Sequence, residues 1–86
     1  MALLADRYEL GEELGRGGMA RVVAARDTAL DRSVAIKLLT ATDDPVARAR
    51  FLREGRTAAR VHHPAAVAVY DTGEVDGQPY LVMERI

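Results

Sequence analysis

The chain has 86 residues, a net charge of −1 and 29% charged residues, which bounds it to one small domain with no bulk attraction to nucleic acid or an acidic membrane. No cysteine and only two histidines are present, so a disulfide framework is excluded and a zinc site is short of ligands. The uncharged apolar runs are a few residues long, against the roughly 20 of a membrane helix, and a soluble, cytoplasmic chain with no membrane segment is expected.

Residues 1–7 form an N-terminal segment without the basic start and apolar core of a secretory signal. Tyr8 to Leu14 is a weak strand, with Tyr8, Leu10 and Leu14 set against Glu9, Glu12 and Glu13. Gly15-Arg16-Gly17-Gly18-Met19-Ala20 follows, a glycine-rich loop whose backbone can approach a ligand closely. Arg21 to Asp27 reads two ways: its alanines and arginines favour helix, and Val22-Val23 favours strand. Asp27 to Arg32 is a polar turn. Ser33 to Leu39 is a buried strand, with Val34, Ile36 and Leu38 on one face and Ala35, Lys37 and Leu39 on the other.

Asp44 is the expected N-cap and Pro45 the first residue of a helix running to about Val61, ahead of Pro64. At roughly 100° per residue, Phe51, Leu52, Gly55, Ala58 and Ala59 share one stripe, opposite Arg50, Arg53, Arg56 and Arg60. Glu54 lies at the flank of that stripe. His62-His63-Pro64 closes the helix, and a hairpin over 66–84 completes the chain. In it, Val67, Val69 and Asp71 are expected on one face, and Asp76-Gly77 marks the turn. The order predicts an α+β fold: a five-stranded antiparallel sheet with one main helix. The chain stops at Ile86 inside an apolar strand, which reads as a fragment.

The chemistry centres on Lys37. The chain carries eleven arginines and one lysine, and it places that lysine in mid-strand, where a compact point charge on a thin stem can meet an anion. Taken alone, the glycine loop is ambiguous. Gly15-x-Gly17-x-x-Ala20 also satisfies a dinucleotide fingerprint, so a Rossmann unit, another phosphate loop and an ordinary turn all fit it. The combination is more specific: a glycine loop, a lysine on a following strand and a helix glutamate able to orient that lysine. Taken singly, Lys37 could be an edge-strand lysine with its head in water, and Glu54 a solvated helix residue.

Leu14 to Val22, Val34-Ala35-Ile36-Lys37, Phe51-Leu52-Arg53-Glu54, His63-Pro64 and Tyr80-Leu81-Val82-Met83-Glu84 resemble the N-terminal lobe of eukaryotic-like protein kinases. The Gly-Gly-Met-Ala loop and Val67 to Glu74 are most similar to the bacterial serine/threonine branch. The likeness covers residues 8–86, and Ala20 stands where the general pattern has a third glycine. The resemblance implies that Gly15, Arg16, Gly17, Gly18, Met19 and Ala20 cover the phosphates of ATP. It implies that Lys37 contacts the α- and β-phosphates and that Glu54 holds Lys37. Leu14, Val22 and Ala35 would wall the adenine, Met83 would stand behind it, and the Glu84 carbonyl and Ile86 amide would be hinge groups. Ala58 and Val69 match positions that pack the helix on the sheet. His62-His63 is then a loop, and no metal ligands are assigned.

The parent implied is a serine/threonine kinase that transfers the γ-phosphate of ATP to protein hydroxyls. The catalytic Asp, the Mg2+ ligands and the protein-substrate surface belong to a C-terminal lobe, so the chain, cut at the hinge, is expected to be inactive alone. Any membrane anchor of the parent would lie downstream. The alternative is a non-catalytic N-lobe module. Its open apolar cleft face would lead to a homodimer or strand-swapped assembly.

Overall fold

Strict alternation along the lysine strand sorts its side chains to two faces, and the sheet is built around it. The computed structural model describes residues 3–60 and 68–85. Within them the chain runs β1 (Tyr8–Arg16), β2 (Ala20–Asp27), β3 (Arg32–Leu39), α1 (Pro45–Arg60), β4 (Val69–Val75) and β5 (Gln78–Glu84). The strands form one antiparallel sheet in the order β1-β2-β3-β5-β4. On one face Val34, Ile36 and Leu38 join Tyr8, Val23, Ala25, Tyr80 and Val82 in a core. On the other, Leu39 and Leu81 pack with Ala47 and Phe51 of α1.

The segment that could have been helix is β2. Its register with β3 is unbroken from Ala20 opposite Leu39 to Asp27 opposite Arg32. Ladder partners on both sides, together with burial of Val23 and Ala25, override the helical preference of alanine and arginine.

α1 begins as expected. The Asp44 carboxylate accepts from the amides of Val46 at 2.9 Å and Ala47 at 3.2 Å, leaving Pro45 at the position that needs no donor. Ala47, Phe51 and Gly55 are its buried residues. The expected stripe was too broad. Leu52 and Ala58 are only half-buried and Ala59 is exposed, because the helix rests along a narrow line on β4 and β5. The helix is described as far as Arg60; Val61, His62-His63-Pro64 and the hairpin's expected start at 66 lie outside the described residues.

The hairpin turns where its Asp-Gly pair predicts. Only Asp76 and Gly77 turn, both in the left-handed region at φ 49° and 81°, which is what an Asp-Gly pair supplies. β4 carries a bulge: Val69 pairs with Met83 but Asp71 pairs with Val82, which leaves Tyr70 as the extra residue. Val69 and Asp71, expected on one face, therefore point to opposite faces. Val69 packs toward α1, and Asp71 accepts from the Tyr8 hydroxyl at 3.3 Å on the far side.

Gly73 sits where the buried Tyr80 ring crosses the hairpin. A Cβ there would lie 2.6 Å from the Tyr80 hydroxyl oxygen and 2.7 Å from Cζ. Gly73→Ala is expected to cost about 1–3 kcal/mol by overpacking, read as a lower urea midpoint with an unchanged slope.

At the far end of the sheet Asp27 is fully buried. Its two carboxylate oxygens accept from Arg7 Nε and Nη2, each at 2.8 Å. The Ala29 and Leu30 amides add bonds of 3.0 and 3.2 Å, and Arg32 Nε stands 3.6 Å away. Those bonds, the Arg7 one foremost, hold the Asp27 carboxyl well below the ordinary carboxylate range although burial opposes them. Residue 7 is thus tied into the fold.

Candidate functional site

The β1–β2 hairpin delivers the glycine run to one end of the sheet. Gly15 pairs with Val22 and Arg16 with Arg21, so the open tip is Gly17 to Met19 and not the whole of 15–20. Arg16 points into solvent and donates to Glu13 at 2.9 Å. The Gly17 amide donates to the Ala20 carbonyl at 2.8 Å, which leaves the Gly18 and Met19 amides as the tip's unpartnered donors among the described residues. A Cβ on Gly15 or Gly18 would meet nothing within 4 Å. The tip is pinned from behind: the Met19 carbonyl accepts from Thr40 at 2.7 Å and Ala41 at 3.3 Å.

Behind the tip, pairing lays two rows across one sheet face. Val22, Lys37 and Leu81 form one, and Ala24, Ala35 and Met83 the other. Ala35 is buried and Val22 and Met83 half-buried. Ala24 was not anticipated as part of this surface; its position two residues after Val22 was the available signal. The second row is flat and apolar, as a planar ring requires. Leu14, expected as wall, is 45% exposed.

Lys37 is half-buried, with its ammonium 5.9 Å from the centre of the Phe51 ring. It opens on a cavity of about 160 Å³ whose lining includes Met19, Ala20, Phe51 and Glu54. The structure thus brings the lysine, the loop and the glutamate together. It does not join the last pair: among the described residues no carboxylate lies within ion-pair distance of Lys37, and Glu54 is exposed. The cause is where α1 sits, over β4 and β5, with Phe51 beside the ammonium.

Glu84 closes β5, and its amide donates to Ala68 at 2.8 Å. Ile86, the other hinge residue, is outside the described set. Val69 packs against the helix-side core and Ala58 is half-buried on α1. Among the described residues no three His, Cys, Asp or Glu side chains are grouped to hold a metal ion, and no helix is long and apolar enough to cross a membrane. An ammonium without a carboxylate, two open backbone amides and a flat apolar row fit a nucleoside polyphosphate: phosphate at the tip, base over the alanines.

The protein kinase domain model matches residues 8–86. A probable serine/threonine-protein kinase of Streptomyces coelicolor is 56% identical over 89 residues, 96% of this chain and 13% of that one. The serine/threonine-protein kinase PknB of Mycobacterium tuberculosis is 54% identical over 96% of this chain and 14% of its own. This chain therefore spans about a seventh of those relatives. Among solved structures, the PknI kinase domain of Mycobacterium tuberculosis superposes with a TM-score of 0.74 at 33% identity, covering 92% of this chain and 33% of that one.

Proposed function

The chain belongs to the protein kinase family, and from that premise we propose that residues 8–86 are the ATP-binding lobe of a bacterial serine/threonine kinase. Protein kinases use ATP with Mg2+, and ATP supplies the γ-phosphoryl group that is transferred to a protein hydroxyl. In this reading the tip amides cover the phosphates, and Lys37 pairs with the α- and β-phosphate oxygens. Glu54, unpaired here but on the same cavity, would orient Lys37 on closing that distance. Leu14, Val22 and Ala35 wall the adenine with Met83 behind it, and the Glu84 carbonyl and Ile86 amide take its edge. The observation that carries the proposal is the single lysine of the chain, on the central strand, opening beside the glycine tip onto one cavity with Glu54.

The Mg2+ ligands, the catalytic carboxylate and the protein-substrate surface are assigned to a C-terminal lobe. That lobe, or a second copy of the chain, would cover the exposed Leu14 and Met19.

Titration of the chain with ATP, followed by amide resonances, tests the reading. We expect shifts concentrated at Gly17 to Val22, Ala35, Lys37 and Met83, with an affinity of roughly 1 mM because half the walls are absent. No γ-phosphate should reach a serine or threonine substrate. Shifts centred on the Tyr8–Tyr80 face, or none at tens of millimolar, would sink it.

A further inference from the structure

The outward face of α1 carries three exposed guanidiniums, those of Arg53, Arg56 and Arg60, with no carboxylate partner among the described residues. Thr57 is exposed in their midst. At roughly 100° per residue, Arg53 lies one turn behind Thr57 and about 40° round the helix from it. Arg60 lies one turn ahead and about 60° round on the same side. The Thr57 hydroxyl donates to the Arg53 carbonyl of its own helix at 3.0 Å, an oxygen that the helix already supplies with an N–H.

The other serine and threonine hydroxyls differ in charge or in access. Thr28 follows Asp27 and donates to the Arg7 carbonyl at 2.5 Å. Thr72 follows Asp71 and donates to the Tyr80 carbonyl at 3.1 Å. Thr40 and Thr42 precede Asp43 and Asp44, and Ser33 is locked in the β2–β3 ladder opposite Arg26. Thr57 alone has arginines at positions −4, −1 and +3, a pattern that complements an acid-lined substrate groove. Its segment is also the easier part of the helix to open, because Gly55, two residues back, is a poor helix former.

A phosphate at residue 57 would bring about −1.5 to −2 charges and three acceptor oxygens. The guanidinium forks of Arg53 and Arg60 stand one turn to either side to receive them. Glu54, three residues back, opposes the phosphate as a like charge, but one carboxylate faces three guanidiniums. We propose that Thr57 is a phosphorylation site whose phosphate is held by Arg53 and Arg60. The enzyme that writes it is an arginine-directed serine/threonine kinase, with ATP as donor. Thr57 Oγ attacks the γ-phosphorus, the new O–P bond forms, and the bond to the ADP oxygen breaks. The hydroxyl proton passes to that kinase's carboxylate base. With five arginines and one glutamate, α1 then falls from a net charge of +4 to about +2. The site is independent of the nucleotide reading of this chain.

Two measurements test it. First, the chain is incubated with γ-labelled ATP, Mg2+ and an arginine-directed serine/threonine kinase, and the label is located by peptide mapping. It should fall on Thr57, persist in Thr57→Ser, vanish in Thr57→Ala and drop roughly tenfold in rate in Arg53→Gln or Arg56→Gln. Second, the chain is assembled by peptide ligation with phosphothreonine at 57, and its phosphorus resonance is titrated. The second ionisation should lie below the ordinary value of about 6. It should rise toward that value when Arg53→Gln and Arg60→Gln are combined, and fall further in Glu54→Gln. A chain left unlabelled, or labelled as readily at another hydroxyl, overturns the proposal. So does an ionisation at or above the ordinary value, which would mean that Glu54 outweighs the arginines.

Discussion

Asp27→Asn lowers the thermal midpoint of the chain by on the order of 20 °C at neutral pH, the largest stability loss expected of any single polar substitution here. The side chain is fully enclosed and is held by Arg7 and two backbone amides. Asparagine fits the space, but its amide nitrogen meets the Arg7 guanidinium donor to donor. Arg7 and Arg32 are left without their counter-charge. The pH dependence identifies the cause. Because the folded carboxyl titrates below its ordinary value, its contribution is complete above the unfolded value of about 3.9 and fades as pH falls below that toward the folded value. The gap between parent and Asp27→Asn melting curves should therefore narrow from pH 7 to pH 2. A constant gap across that range would assign the loss to shape and not to charge.

Lys37→Met should reduce ATP affinity by roughly 10- to 100-fold, the value of a charge-assisted hydrogen bond to phosphate, while leaving the fold as stable as before. Methionine replaces the stem, and the ammonium it removes has no carboxylate partner among the described residues to lose. Separating the two readouts is the point: titration should fail where urea unfolding does not move. Glu54→Gln should change affinity by less than about twofold in this state, since an exposed, unpaired carboxylate contributes little. ATP affinity unchanged in Lys37→Met would detach the lysine from the phosphates altogether.

Much of this site was readable from residue order. Period-two alternation in Ser33 to Leu39 assigned the faces of β3 correctly, because a strand buried on both sides admits no other register. The Asp44-Pro45 helix start was equally local. What escaped were features made by distant residues or by counting errors. Tyr8 meets Asp71 across 63 positions and Arg7 meets Asp27 across 20, and no window of sequence contains either pair. The reversal at Asp71 has a different origin: alternation assumes one residue per step, and the bulge at Tyr70 breaks that assumption. Glu54 lines the cavity onto which Lys37 opens, but its separation from that lysine depends on how α1 is seated on β4 and β5, which sequence spacing cannot weigh.

The irregularities of the sheet fall only at its borders. β1 shifts register between Leu10 and Glu13 and again before Gly15; β4 shifts at Tyr70; the pairings β2–β3 and β3–β5 run without a break. Both outermost strands thus present uneven ladders of donors and acceptors, which are poor templates for adding a sixth strand from another chain. Growth of the sheet by edge-to-edge stacking, the usual route from an open β-sheet to a fibre, is discouraged at one end by the shifts between Leu10 and Gly15 and at the other by the bulge at Tyr70.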